Sequence, residues 1–163
     1  MAREDLGSGA CMPQSALEPR TCRTVGEVRD ANQEALRQII AEHGWPGRSL
    51  VGLDGSRAAW LIAQHADDDL PFQKQCLALI HEAFLIGDME AYAFAYLTDR
   101  TLDNEGSPQM YGTQGGGAYG SPEDERRIDA NRKAIGLEPW RVFVEKLKKT
   151  RARLRADSIA AWD

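Results

Sequence analysis

The stretch Gln109-Met110-Tyr111-Gly112-Thr113-Gln114 lies in a glycine-rich part of the chain and carries two carboxamides, a phenol and a hydroxyl. Such groups can orient a polar ligand and stabilise developing charge, and Gly112 permits close backbone approach. A loop that hydrogen-bonds itself is the alternative, because no general mechanism demands Tyr-Gly-Thr-Gln at that spacing. His65, in Gln64-His65-Ala66-Asp67, adds a group that titrates near neutrality and suits a general base. Equally, a core histidine donates to a carbonyl. Asp99 and Arg100 are adjacent, so on a helix their side chains point about 100° apart and each needs another partner. Asp99, or Gln64, can orient the His65 ring, and Arg100 offers a planar fork to a carboxylate or phosphate. A structural clamp competes with this reading, with Arg100 on Asp129 and Asp99 on Arg132.

Further short segments accompany these groups in a fixed order: Gly44-Trp45-Pro46, Gln64-His65-Ala66-Asp67, Leu97-Thr98-Asp99-Arg100, the Gln109–Gln114 stretch, Asp129-Ala130-Asn131-Arg132 and Ile135-Gly136-Leu137. In that order the chain resembles a bacterial family built on a domain of unknown function, over roughly residues 28 to 143. The resemblance adds Asn32, Trp45 and Arg132 to the candidate positions and implies no activity. Asn32 also falls on an apolar helical stripe, where a buried amide either pins a turn or faces a cavity.

The elements that must position these groups read as helices. Thr24-Val25-Gly26-Glu27 has the form of a capping box, and Val28, Ala35, Leu36, Ile39 and Ile40 follow at helical spacing up to Gly44-Trp45-Pro46. A second helix, over about 56–66, is apolar nearly all round and is expected to be central and buried. The acid run Asp67-Asp68-Asp69 breaks it and caps a third, over about 70–86, with Cys76, Leu77, Ile80, Ala83 and Phe84 inward. Gly87-Asp88 ends that helix and caps a fourth over about 89–98, which delivers Asp99-Arg100 at its end. Next come Gly106, Gly112, Gly115, Gly116, Gly117 and Gly120, too many for a helix, in a loop long enough to be functional or disordered. Ser121-Pro122-Glu123-Asp124 starts a fifth helix to about 134, and Gly136-Leu137-Glu138-Pro139 separates it from a sixth over about 140–156. The cations Lys146, Lys148, Lys149, Arg151, Arg153 and Arg155 read as a solvated helix end, with an anionic-partner patch as the lesser alternative. The expected class is all-α: a compact bundle of five to six helices with a long glycine-rich loop between the fourth and fifth. Residues 1–22 are expected to be a disordered leader, 23–157 a single helical domain and 158–163 a tail.

Bulk properties narrow the function. The 163 residues are 42% hydrophobic and 28% charged, enough to bury the core of one domain. A net charge of -5 disfavours nucleic acid, whose binders neutralise phosphates with Lys and Arg. No run reaches the roughly 18 to 20 apolar residues of a membrane helix, and no basic segment with an apolar core opens the chain, so a cytoplasmic location is expected. Cys11, Cys22 and Cys76 give neither a disulfide framework nor a zinc knuckle. His65 and Asp69 have ligand-like i, i+4 spacing, but the acid run ends the helix there, so no metal is expected. Without a phosphate loop, dinucleotide fingerprint or nucleophile elbow, no cofactor is expected either.

The expectation is therefore a small cofactor-independent enzyme of the hydrolase or lyase/cyclase kind. His65, Asp99 and Tyr111 are its catalytic groups, and Asn32, Trp45, Gln64, Arg100, Gln109, Thr113, Gln114 and Arg132 bind a small polar or anionic substrate. The alternative is a non-catalytic ligand-binding or protein-interaction module, including a toxin/immunity-type role. Neither nucleic acid nor membrane is an expected partner, and nothing in the sequence demands a homo-oligomer.

Overall fold

The computed structural model describes residues 24–115 and 121–160. The expected leader, Cys11, Cys22, Gly116, Gly117, Gly120 and the last three residues of the tail lie outside them. Among the described residues there are six helices and no strand: α1 (Val25–His43), α2 (Arg48–Gln64), α3 (Leu70–Leu85), α4 (Ala91–Asn104), α5 (Pro122–Ala134) and α6 (Trp140–Ala160). The all-α class and the long connection between α4 and α5 are as the sequence predicts.

Local chemistry sets most boundaries. Thr24 and Glu27 close the capping box of α1, the Asp69 carboxylate accepts from Phe72 N–H at the start of α3, and Ser121 accepts from Asp124 N–H at the start of α5. Four boundaries differ from expectation. α2 begins at Arg48 because its first turn is joined to the rest across a kink at Gly52, whose φ of 73° only glycine adopts without strain. Asp88 does not cap α4, which starts after Glu90 without a side-chain cap; its carboxylate accepts from Ser49 N–H and Oγ–H at the start of α2. α4 runs on to Asn104, so Asp99 and Arg100 sit inside the helix. α6 continues to Ala160.

α3 and α4 form the most extensive pair, α1 packs on α2, and α2 packs on α3 and α4. Leu36, Ile40, Ala59, Ala63, Phe72, Cys76, Ile80, Ala93 and Leu97 form their common core. The alanines let the backbones approach closely, and Phe72 fills the space they leave. Burial also pushes the Cys76 thiol up to about 12, so it behaves as a small hydrophobe. α2 is less enclosed than expected over 56–66, where Ala58 and Leu61 are exposed, and its added N-terminal residues include the exposed Leu50, Val51 and Leu53.

Helices α5 and α6 pack on each other and make no backbone approach to α1–α4. What joins the two groups is the segment around Gln109–Gln114, together with ring contacts such as Tyr96 against Phe143.

Candidate functional site

Asp99, on the inner face of α4, is fully buried. Its Oδ1 accepts from Met110 N–H at 2.7 Å and Tyr111 N–H at 2.9 Å, and its Oδ2 from Thr113 N–H and Oγ1–H, both at 2.8 Å. One carboxylate thus organises four donors of the loop. The carboxamides complete the turn: Gln109 Oε1 accepts from Gln114 N–H, Gln109 Nε2 donates to Gln114 O, and Gln114 Nε2 donates to Tyr96 O. The loop's carbonyls are served from the far side. Arg127 donates to Gln109 O, Asn131 to Met110 O, Arg132 to Tyr111 O and Trp140 Nε1–H to Gly112 O. Buried backbone groups must be paired, and here side chains from three helices supply the partners. Tyr111, Gln109 and Thr113 are buried within this knot.

The structure therefore brings Asp99, Gln109, Tyr111, Thr113, Gln114 and Arg132 together, and it places the other candidates elsewhere. Arg100 does not meet Asp129; it forms a bidentate pair with Asp67, which also accepts from Asn104 Nδ2. Asp129 instead accepts from Trp140 N–H. Asp99 does not pair with Arg132, and its two oxygens are engaged by the loop rather than by His65. His65 is the exposed C-cap of α2 and borders a cavity of about 470 Å³ with Val28, Arg29, Asn32 and Asp67. Asn32 is exposed; its neighbour Gln33 is the buried amide and donates to Asp68. Of the expected α1 stripe, Leu36 and Ile40 are buried, whereas Val28, Ala35 and Ile39 are exposed and Gln33 completes the buried face. Gln64 is buried and its Oε1 has no partner among the described residues, as is the case for Trp45 Nε1, although the Trp45 ring packs against the core. No group of three metal-ligating side chains occurs among the described residues.

Arg100 and Asn104, one turn apart, hold the Asp67 carboxyl down to about 2 against burial that raises it. A carboxyl whose folded pKa lies below its unfolded 3.8 stabilises the fold at higher pH, and that contribution fades as pH falls toward 2. The Asp67 side chain is 37% exposed, so solvent screening limits its share. Asp67→Asn is expected to cost about 1 kcal/mol at neutral pH. The variant is also expected to flatten the decline of stability between about pH 4 and pH 2, read by urea unfolding at each pH; a wild-type slope in the variant would discard this assignment.

A separate cavity of about 240 Å³ lies at the seam between the two helix groups, lined by Tyr92 and Tyr96 of α4, Thr113 of the loop, Arg132 of α5, Glu138, and Phe143 of α6. Arg132 is 2% exposed. Its Nε donates to Glu138 O at 2.6 Å, its Nη1 to Tyr111 O at 2.9 Å, and its guanidinium lies 4.7 Å above the Phe143 ring. Burial pulls its pKa down, offset by Glu138, Asp129, Asp99 and Tyr96. Among the described residues no carboxylate lies within ion-pair distance of it, and its Nη2 has no acceptor. Tyr92, Tyr96 and Phe143 are the site residues that sequence reasoning missed. Tyr92 and Tyr96, one helical turn apart, were the available signal.

The chain belongs to the family of unknown function DUF6624, whose model matches residues 18–153. It matches no curated protein and no solved structure. Among the described residues, no helix is long and apolar enough to cross a membrane.

Proposed function

We propose that this DUF6624 domain is a ligand-binding module that holds a small anionic molecule in the cavity between α4, the Gln109–Gln114 loop and α5–α6. One observation carries the reading: Arg132 is almost completely buried, borders a cavity, and has no carboxylate partner among the described residues. A buried guanidinium is costly unless its charge is answered, and backbone carbonyls, an aromatic face and the fields of Glu138, Asp129 and Asp99 answer it only in part, since burial still pulls its pKa down. An anion in the cavity would complete it. Binding is supported over acid/base chemistry because the carboxylate expected to orient His65 is saturated by loop donors, while His65 borders a different, open cavity.

The test is a thermal-shift series on the full chain with small carboxylates, phosphate and sulfate. A ligand at one hundred times its dissociation constant stabilises the folded state by about 2.7 kcal/mol, a rise of several degrees. At least one anion should produce that rise, and Arg132→Gln should remove it. A melting temperature indifferent to every anion would end the proposal.

A further inference from the structure

We infer that the anion taken by this cavity is a monocarboxylate carried on a flat apolar body, in the manner of an aryl carboxylic acid. This inference rests on the binding function proposed above and narrows its ligand. The charge is the first argument. Arg132 is the one cation among the described residues that line the cavity, and the Glu138 carboxylate that also borders it is paired with Lys146. Asp99 and Asp129 also act on Arg132, so the site has at most one positive charge to offer, which suits a monoanion rather than a multiply charged anion.

The backbone is the second. A phosphate is usually cradled by several free N–H groups at a helix N-terminus or a nest. Here the loop amides of Met110, Tyr111, Thr113 and Gln114 are already given to Asp99 and Gln109. Arg132 stands in the last turn of α5, where the helix dipole is negative and opposes a multiply charged anion.

The walls are the third argument. Phe143 lies under the guanidinium, and Tyr96 meets Phe143 edge to face with ring centroids 6.2 Å apart. The hydroxyls of Tyr92 and Tyr96 have no hydrogen-bond partner among the described residues, so each can donate to a carboxylate oxygen or leave its ring to pack against an apolar body. Burial keeps the Tyr96 phenol protonated, and therefore a donor, against the opposing fields of Arg132 and Arg151. At roughly 30 Å³ of liquid volume per water, a cavity of about 240 Å³ displaces about eight waters, room for one aromatic ring bearing a carboxylate.

Isothermal titration of the full chain with benzoate, acetate and inorganic phosphate tests this. Benzoate should bind about tenfold more tightly than acetate, as expected for one added aromatic contact, and phosphate should bind more weakly than either. Tyr96→Phe should weaken benzoate about threefold to tenfold, and Arg132→Gln should abolish binding. If Arg132→Gln fails to fold, Tyr96→Phe and Phe143→Leu decide: unchanged benzoate affinity in both overturns the assignment to this cavity. Phosphate binding more tightly than benzoate, or acetate as tightly, overturns the ligand class and leaves the anion-binding function standing. Failure of every anion removes both.

Discussion

Asp99→Ala should be among the most destabilising single substitutions in this protein. It strips four donors, three backbone and one hydroxyl, of a fully buried acceptor at once. A buried donor left without a partner costs about 1–3 kcal/mol, and water entering the emptied space recovers part of that. The net expectation is a loss of about 4 kcal/mol and roughly 10 °C in Tm, at about 2–4 °C per kcal/mol for a domain of this size. Asp99→Asn keeps one oxygen but turns an amide NH₂ toward loop donors, so it should fall between, near about 2 kcal/mol. Hydrogen exchange localises the effect: the Met110, Tyr111 and Thr113 amides should lose protection before those of α3. An Asp99→Ala protein melting within 2 °C of the parent would refute the knot as the source of stability. Activity is not needed as a readout, so the result holds whatever the ligand proves to be.

Gly112→Ala is expected to cost about 3 kcal/mol for two separable reasons. The first is conformational: φ at Gly112 is 66°, and a side chain there costs about 1–2 kcal/mol. The second is contact. A Cβ would stand 2.5 Å from Trp140 Nε1 and 2.7 Å from its Cδ1, pushing away the indole that donates to Gly112 O. Gly136 provides the control, because its φ of 76° imposes the same strain while nothing lies within 4 Å of an added Cβ. Chemical denaturation of both variants should therefore show Gly112→Ala worse than Gly136→Ala by about 1–2 kcal/mol. Equal losses would mean that Trp140 yields freely and that its contact contributes little.

The start of α1 at Thr24 and of α5 at Ser121 could be read from sequence because capping chemistry is local. The end of α4 could not. The sequence reading ends the helix near residue 98, yet Asp99 and Thr101 both lie buried within it, Asp99 by serving the loop and Thr101 by donating to Leu97 O one turn back. The loop residues stood out in the sequence as a polar group, but their partners did not, because Arg127, Asn131 and Trp140 reach them across 18 to 28 residues of sequence. Asn32 shows the finer limit: one residue of helical phase separates an exposed amide from the buried Gln33. Arg100 was expected to meet Asp129 or a ligand, and only the folded chain reveals Asp67 as its counter-ion.

The Asp99 knot also bears on the order in which the protein folds. Its bonds close over only 11 to 14 residues, and the entropy of closing so short a loop is small and grows slowly with length. Once α4 exists, the loop can wrap its carboxylate without waiting for the rest of the chain. The α5–α6 pair has no close backbone packing on a helix of the first group, only side-chain contacts such as Tyr96 against Phe143, and docks mainly on the carbonyls that this loop presents. Folding should then proceed in two stages, with α5–α6 the last to be protected and the first to be released.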